Sequence, residues 1–285
     1  MKIPVRFVLI AALVLIWQSL SFGAEIVPDF NSTSDGRNDD GTYTNGGCFN
    51  DSPGGTCTGD PVPIGFDINF FGTLNNSVFI NTNGNVTFDS PLAAFIPFPL
   101  DFALRPIVAP FFADVDTRNA DSGVVTFGNG FFGGRDAFGV NWIDVGYFDQ
   151  HADKTNSFQL LFVNRADTGA GNFDLIFNYD RVQWETGDGD FGDQGLGGFS
   201  ARVGFTNGSG IPEETLELPG SGEPGSLIDG GPLALISHRL NSDVDGRYIF
   251  NFREGQLSAT TVPEPASMLL VALAGALLMI RRRYA

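Results

Sequence analysis

The chain has 285 residues, with 16 basic and 33 acidic side chains and a formal charge of −17 at neutral pH. Such an excess of carboxylates repels phosphate backbones and anionic bilayers, which argues against nucleic acid and acidic membrane surfaces as partners. The 28 phenylalanines promise a sizeable apolar core, so this acidity is not that of a disordered tail.

Lys2 and Arg6 precede an apolar run from Phe7 to Trp17, followed by Ser19, Ser21, Gly23 and Ala24. A basic start, an apolar middle and a small-residue exit describe a secretory signal peptide over residues 1–24, with signal peptidase as the expected first partner. The run is too short for a comfortable transmembrane helix of about 20 residues. Cleavage after Gly23 places Ser21 and Gly23 at the recognition positions, whereas cleavage after Ala24 places Phe22 there; both stay open. Residues 25–60 are rich in Asn, Asp, Gly, Ser and Thr and read as a loop-rich lead-in. They hold the only cysteines, Cys48 and Cys57, which in an oxidising compartment read as one short-loop disulfide.

From Pro61 onward short apolar or alternating runs are separated by turn residues. Ile64 to Phe71 is the first such run. Val78 to Thr82 and Asn85 to Phe88 flank Asn83-Gly84, a pair that predicts a type I′ hairpin turn. Pro106 to Phe112, Gly123 to Phe127, Phe138 to Tyr147, Ser157 to Val163 and Phe173 to Tyr179 continue the series. In the last, Phe173, Leu175, Phe177 and Tyr179 share one face and Asp174 and Asn178 the other, as in a half-buried strand. Ala201 to Thr206 and Arg247 to Phe252 supply two more, while the proline- and glycine-rich stretch Ile211 to Pro232 reads as a long loop. Around ten short strands without helical crossovers predict an all-β fold. The expected form is an antiparallel β-sandwich ectodomain over residues 61–253, flanked by an N-terminal signal helix and a C-terminal hydrophobic helix.

A linker over 254–261 leads to the tail, 262–285. Here Pro263-Glu264-Pro265 precedes an apolar helix over 266–280 and the cluster Arg281-Arg282-Arg283. Fifteen helical residues span roughly 22 Å, short of a bilayer core of about 30 Å, and the arginines should remain cytoplasmic. Such a marginal anchor suits a segment held briefly in the inner membrane and then cut. The three elements in this order resemble the PEP-CTERM sorting signal of Gram-negative bacteria. That resemblance implies an exosortase, a membrane-embedded protease-like enzyme, that processes the chain near Pro263-Glu264-Pro265.

The middle carries a second resemblance. Ala109-Pro110-Phe111-Phe112-Ala113-Asp114-Val115-Asp116-Thr117 is followed by Gly123-Val124-Val125, Asn141-Trp142, Val145-Gly146-Tyr147 and Asn156-Ser157-Phe158-Gln159. Phe177-Asn178-Tyr179, Gln183-Trp184-Glu185-Thr186-Gly187 and Ala201-Arg202-Val203-Gly204-Phe205 complete the string. This order resembles the NIDO (nidogen-like) domain, most clearly over 105–207. NIDO domains occur in matrix and adhesion proteins, so the resemblance implies interaction rather than catalysis, with a matrix polysaccharide or protein as partner.

Two further constellations bear on chemistry. Asp114, Asp116 and Asp121 lie at i, i+2 and i+7 and can converge on calcium, which takes about six to eight oxygens, although the EF-hand glycine and closing glutamate are absent. The alternative is that these aspartates bond local backbone N–H groups. Asp188-Gly189-Asp190 with Asp193 reads as a solvated turn, and Asp35, Asp39 and Asp40 are weaker candidates still. No Gly-x-Ser-x-Gly elbow, His-Glu-x-x-His helix or phosphate loop is present, and no catalytic residue is nominated. The reading is a non-enzymatic exported protein of the cell surface or extracellular matrix, serving adhesion or biofilm and envelope structure. A carbohydrate-binding module, with or without calcium, is the alternative, and a secreted polysaccharide hydrolase a third.

Overall fold

A computed structural model describes residues 23–41 and 59–258. The signal helix, Cys48 and Cys57, and the C-terminal helix with its flanking prolines and arginines lie outside the described residues. Among the described residues no helix is long and apolar enough to cross a membrane.

The strands in chain order are β1 Thr33–Ser34, β2 Val62–Phe70, β3 Thr73–Asn81, β4 Asn85–Thr87, β5 Ile107–Phe112, β6 Val115–Asp116, β7 Val125–Phe132 and β8 Arg135–Tyr147. They continue as β9 His151–Asn164, β10 Phe173–Arg181, β11 Gly192–Asp193, β12 Leu196–Gly197, β13 Arg202–Thr206, β14 Thr215–Glu217, β15 Arg247–Arg253 and β16 Gln256–Leu257. One sheet runs β1-β7-β8-β9-β10-β15-β16, with β6 paired to β8; the other runs β14-β13-β5-β4-β3-β2, and β11-β12 form a small hairpin. Every ladder is antiparallel. The strands expected from sequence are all found, several of them longer.

The sheets face one another across an aromatic core. Phe70, Phe205 and Phe252 meet with ring centroids 5.3–6.2 Å apart, and Phe173 stacks on Phe252 at 4.7 Å. Trp142 lies flat on Phe158 at 5.1 Å. Such pairs add about 0.5–1.5 kcal/mol each beyond area burial.

The outer face of the larger sheet is buried as well, which period-two alternation does not anticipate. Residues 23–41 cross that face as a strap. Phe30 is fully buried among Ala137, Leu161, Val163 and Ile176, so β10 is covered on both sides. A row of amides receives the strap: Gln159 Nε2 donates to Asn141 Oδ1 (2.7 Å) and Asn178 Nδ2 donates to Gln159 Oε1 (2.9 Å). Gln159 bonds both the N–H and the C=O of Val27, and Asn141 Nδ2 donates to Phe30 O. These side chains act as a strand edge, satisfying backbone groups that burial would otherwise strand. At the strap's start Ala24 is fully buried and its N–H donates to Tyr179 O at 2.7 Å. Residues 23–41 are thus a structural layer of the domain.

Two other expectations change. Asn81 pairs with Asn85, so the β3–β4 loop has three residues, and of these only Gly84 has positive φ (69°); it is not the two-residue type I′ turn. Short strands β14 and β16 lie within the expected loop and linker, β16 continuing the larger sheet past residue 253.

The strap also carries a titrating group. Burial raises the Asp35 carboxyl from 3.8 to about 6, against donors at Gly36 and Asn38. A raised folded value means that its contribution to stability is complete below about pH 4 and is lost as pH climbs through about 6. Asp35→Asn should therefore leave stability unchanged near pH 4 and raise it by about 1–2 kcal/mol near pH 8, read from urea unfolding. Equal effects at both values would contradict this assignment.

Candidate functional site: an acidic loop end

At one end of the sandwich the strap, the β3–β4 turn, the β5–β6 connection, the β8–β9 corner and the loop after β10 converge. The turn organises them. Thr82 N–H donates to Gly41 O, Phe111 N–H to Gly84 O and Val115 N–H to Asn83 Oδ1 (2.9 Å). Asn83 Nδ2 donates to Asp40 Oδ1 (3.0 Å) and Ala94 O, and the Trp142 indole N–H to Thr82 O (2.9 Å). Gly84 has no room for a side chain, because a Cβ there would overlap Phe111 O.

This scaffold brings three carboxylates together. One oxygen each of Asp39, Asp40 and Asp114 lies within 4.8 Å of the others, and Asp39 and Asp114 are buried. Gly187 packs against Asp114, where a Cβ would overlap Oδ2. Beside the group, Arg118 bonds Asp39 (2.9 Å) and grips Asp116 through Nε and Nη2 (2.6–3.1 Å). Hydrogen bonding to Asp116 is the main reason that the Arg118 guanidinium is held above its ordinary range. Its carbon also stands 5.6 Å from the Phe148 ring centre. Converging carboxylate oxygens suit a hard cation such as calcium.

The three aspartates singled out in the sequence lie in different surroundings. Asp114 lies with Asp39 and Asp40, but Asp116 accepts from Arg118 and from the backbone of Gln150, and Asp121 is exposed with its N–H on Asn119 Oδ1. Arg37 from the strap organises that loop instead, donating to the carbonyls of Thr117, Asn119, Ala120 and Ser122. Asp39 and Asp40 had only weak sequence standing, since no spacing links them to Asp114. Pro263, Glu264, Pro265, Arg281, Arg282 and Arg283 lie outside the described residues, as do both cysteines.

Next to the carboxylates, the Tyr147 hydroxyl donates to Asp153 (2.9 Å) and its ring stacks on His151 at 4.8 Å. His151 Nε2 lies 2.8 Å from Asp188. Burial, then the Asp153 bond and the charges of Asp188 and Asp193, push the Tyr147 hydroxyl far above its usual range. Buried Glu185 accepts from Gly197 N–H (3.2 Å) and Gly225 N–H (2.8 Å), tying the β11-β12 hairpin to the following loop; burial raises its carboxyl despite these donors.

The described residues thus form a two-sheet antiparallel sandwich with an acidic loop end. The sequence profile of the nidogen-like domain matches residues 76–131 and 128–254, and the chain belongs to that family. It is 29% identical to human alpha-tectorin over 218 residues, which cover 66% of this chain and 9% of alpha-tectorin. It is 27% identical to the nidogen of Drosophila melanogaster over 207 residues, 64% of this chain and 14% of that protein. The chain therefore matches a small part of each of these relatives. A second profile, the PEP-CTERM protein-sorting motif, matches residues 261–283. No solved structure matches the chain.

Proposed function

We propose that this chain is an exported, non-enzymatic protein of the cell surface or extracellular matrix, with an adhesive or envelope and biofilm role, whose tail is cut by an exosortase. The observation that carries the reading is the succession of a nidogen-like domain, matched to residue 254, and a sorting motif that begins at 261. The motif begins a few residues after β16 ends at Leu257. Export fits the buried start of the strap: a cut after Gly23 retains Ala24 and leaves its new amino group on Tyr179 O. Intact mass spectrometry of the protein from cells and from medium tests both ends. The expected mature chain begins at Ala24 and lacks Arg281 to Arg283; survival of all three arginines in every mature molecule would refute the sorting reading.

The second reading, a calcium-assisted carbohydrate-binding module, draws on the convergence of Asp39, Asp40 and Asp114. Under it Asp114 is the central donor, and the cation ties the strap to the β5–β6 connection. Calcium at about 100-fold excess over Kd should raise the melting temperature by roughly 5–10 °C, and Asp114→Asn should abolish the response. An unchanged melting temperature in calcium would remove the cation from the account.

A further inference from the structure

The β11-β12 hairpin presents an apolar surface to solvent. Phe191 is 82% exposed and Phe199 46%, and their rings meet edge to face with centroids 5.7 Å apart. Leu196 is exposed on the same hairpin. Phe191 sits at φ +62°, a left-handed conformation that is costly for a bulky L residue.

The base beneath the rings is fixed. Glu185 N–H donates to Gly195 O (2.8 Å), Lys154 Nζ donates to Gln194 O (2.9 Å), and Gly195 packs against Trp184 and Tyr147. Carboxylates lie at that base: the Tyr147 hydroxyl donates to Asp153 (2.9 Å), Asp188 lies in the 3-10 turn that leads into Phe191, and Asp193 lies in β11 itself. Lys154 is itself paired with Asp153 (3.2 Å), and His151 with Asp188. Solvent-facing aromatic rings on a rigid hairpin, bordered by acids, form a two-part recognition surface.

We propose that this face binds a cationic amino-sugar polymer. The inference rests on the matrix reading above and names the polysaccharide class. The apolar C–H face of a pyranose lies against an exposed phenyl ring without needing a pocket, whereas the anchoring side chain of a protein partner is typically seated in one. Ammonium groups along the polymer meet Asp188 and Asp193 and are drawn to the ring faces. Residues 25–262 hold 11 basic and 32 acidic side chains, so the whole ectodomain attracts such a polymer and repels an anionic one. A neutral glycan engages only the rings.

The test uses the mature protein recovered from medium and three probes of equal length: hexamers of glucosamine, N-acetylglucosamine and glucose. Calorimetry should find the glucosamine hexamer bound at least about tenfold more tightly than the other two, with affinity falling between about 50 and 500 mM salt. Phe191→Ala/Phe199→Ala removes only exposed rings and should weaken binding about tenfold or more, while Asp188→Asn/Asp193→Asn should flatten the salt dependence. Equal affinity for the three hexamers, or indifference to the phenylalanine pair, overturns the proposal. So does binding of a lysine-rich peptide, lost in the phenylalanine variant, when no hexamer binds; the face is then a protein contact. If the tail arginines are removed as expected but no glucosamine hexamer binds, this inference fails and the sorting reading stands.

Discussion

The loop end of this protein depends on a hairpin turn that is buried rather than exposed. Turns sit at surfaces because their backbone polar groups need partners, and an interior turn must find each of them within the protein. Thr82, Asn83 and Gly84 find theirs in five other segments: the strap at Gly41 and Asp40, the loop after β4 at Ala94, β5 at Phe111, β6 at Val115 and β8 at Trp142. Asn83 takes part through both ends of its amide, and Gly84 supplies the left-handed conformation and the missing Cβ.

That dependence explains why the carboxylates lie where they do. Asp40 is held by the Asn83 amide, and Asp114 lies between Ala113 and Val115, whose N–H groups donate to Asn83 O and Oδ1. Asp39 comes with the strap, whose amides and buried Phe30 fix its path over the larger sheet. The sandwich core sets the distance between sheets, and the turn sets what faces solvent at their end. A nidogen-like domain is in this sense a rigid holder for loops, and the sorting motif behind it fits a holder delivered to the outside of the cell.

The strands were legible because alternation and turn residues are local signals. The aromatic face of Phe173, Leu175, Phe177 and Tyr179 was read correctly for the same reason. Ile176, Asn141, Gln159 and Asn178 were not legible as buried, because their burial comes from residues about 110–150 positions earlier in the chain, and a polar residue at an outward position reads as solvated. The type I′ expectation failed because tertiary bonds to Asn83 and Gly84 favour a longer loop. Asp114, Asp39 and Asp40 were all noticed in the sequence, but their proximity became visible only once the strap was placed.

Native-state hydrogen exchange on Asn83→Ala tests most directly whether the buried turn holds the loop end together. The substitution removes one of the two acceptors of Val115 N–H, leaving Ala113 O, together with the Asn83 amide bonds to Asp40 and Ala94, a loss of about 1–3 kcal/mol. The account predicts that protection falls about 10- to 100-fold together at Val115, Ala113, Thr82 and the Trp142 indole, and at Thr117, which bonds the strap. A change confined to Val115, with Thr82, Thr117 and Trp142 protected as before, would contradict it.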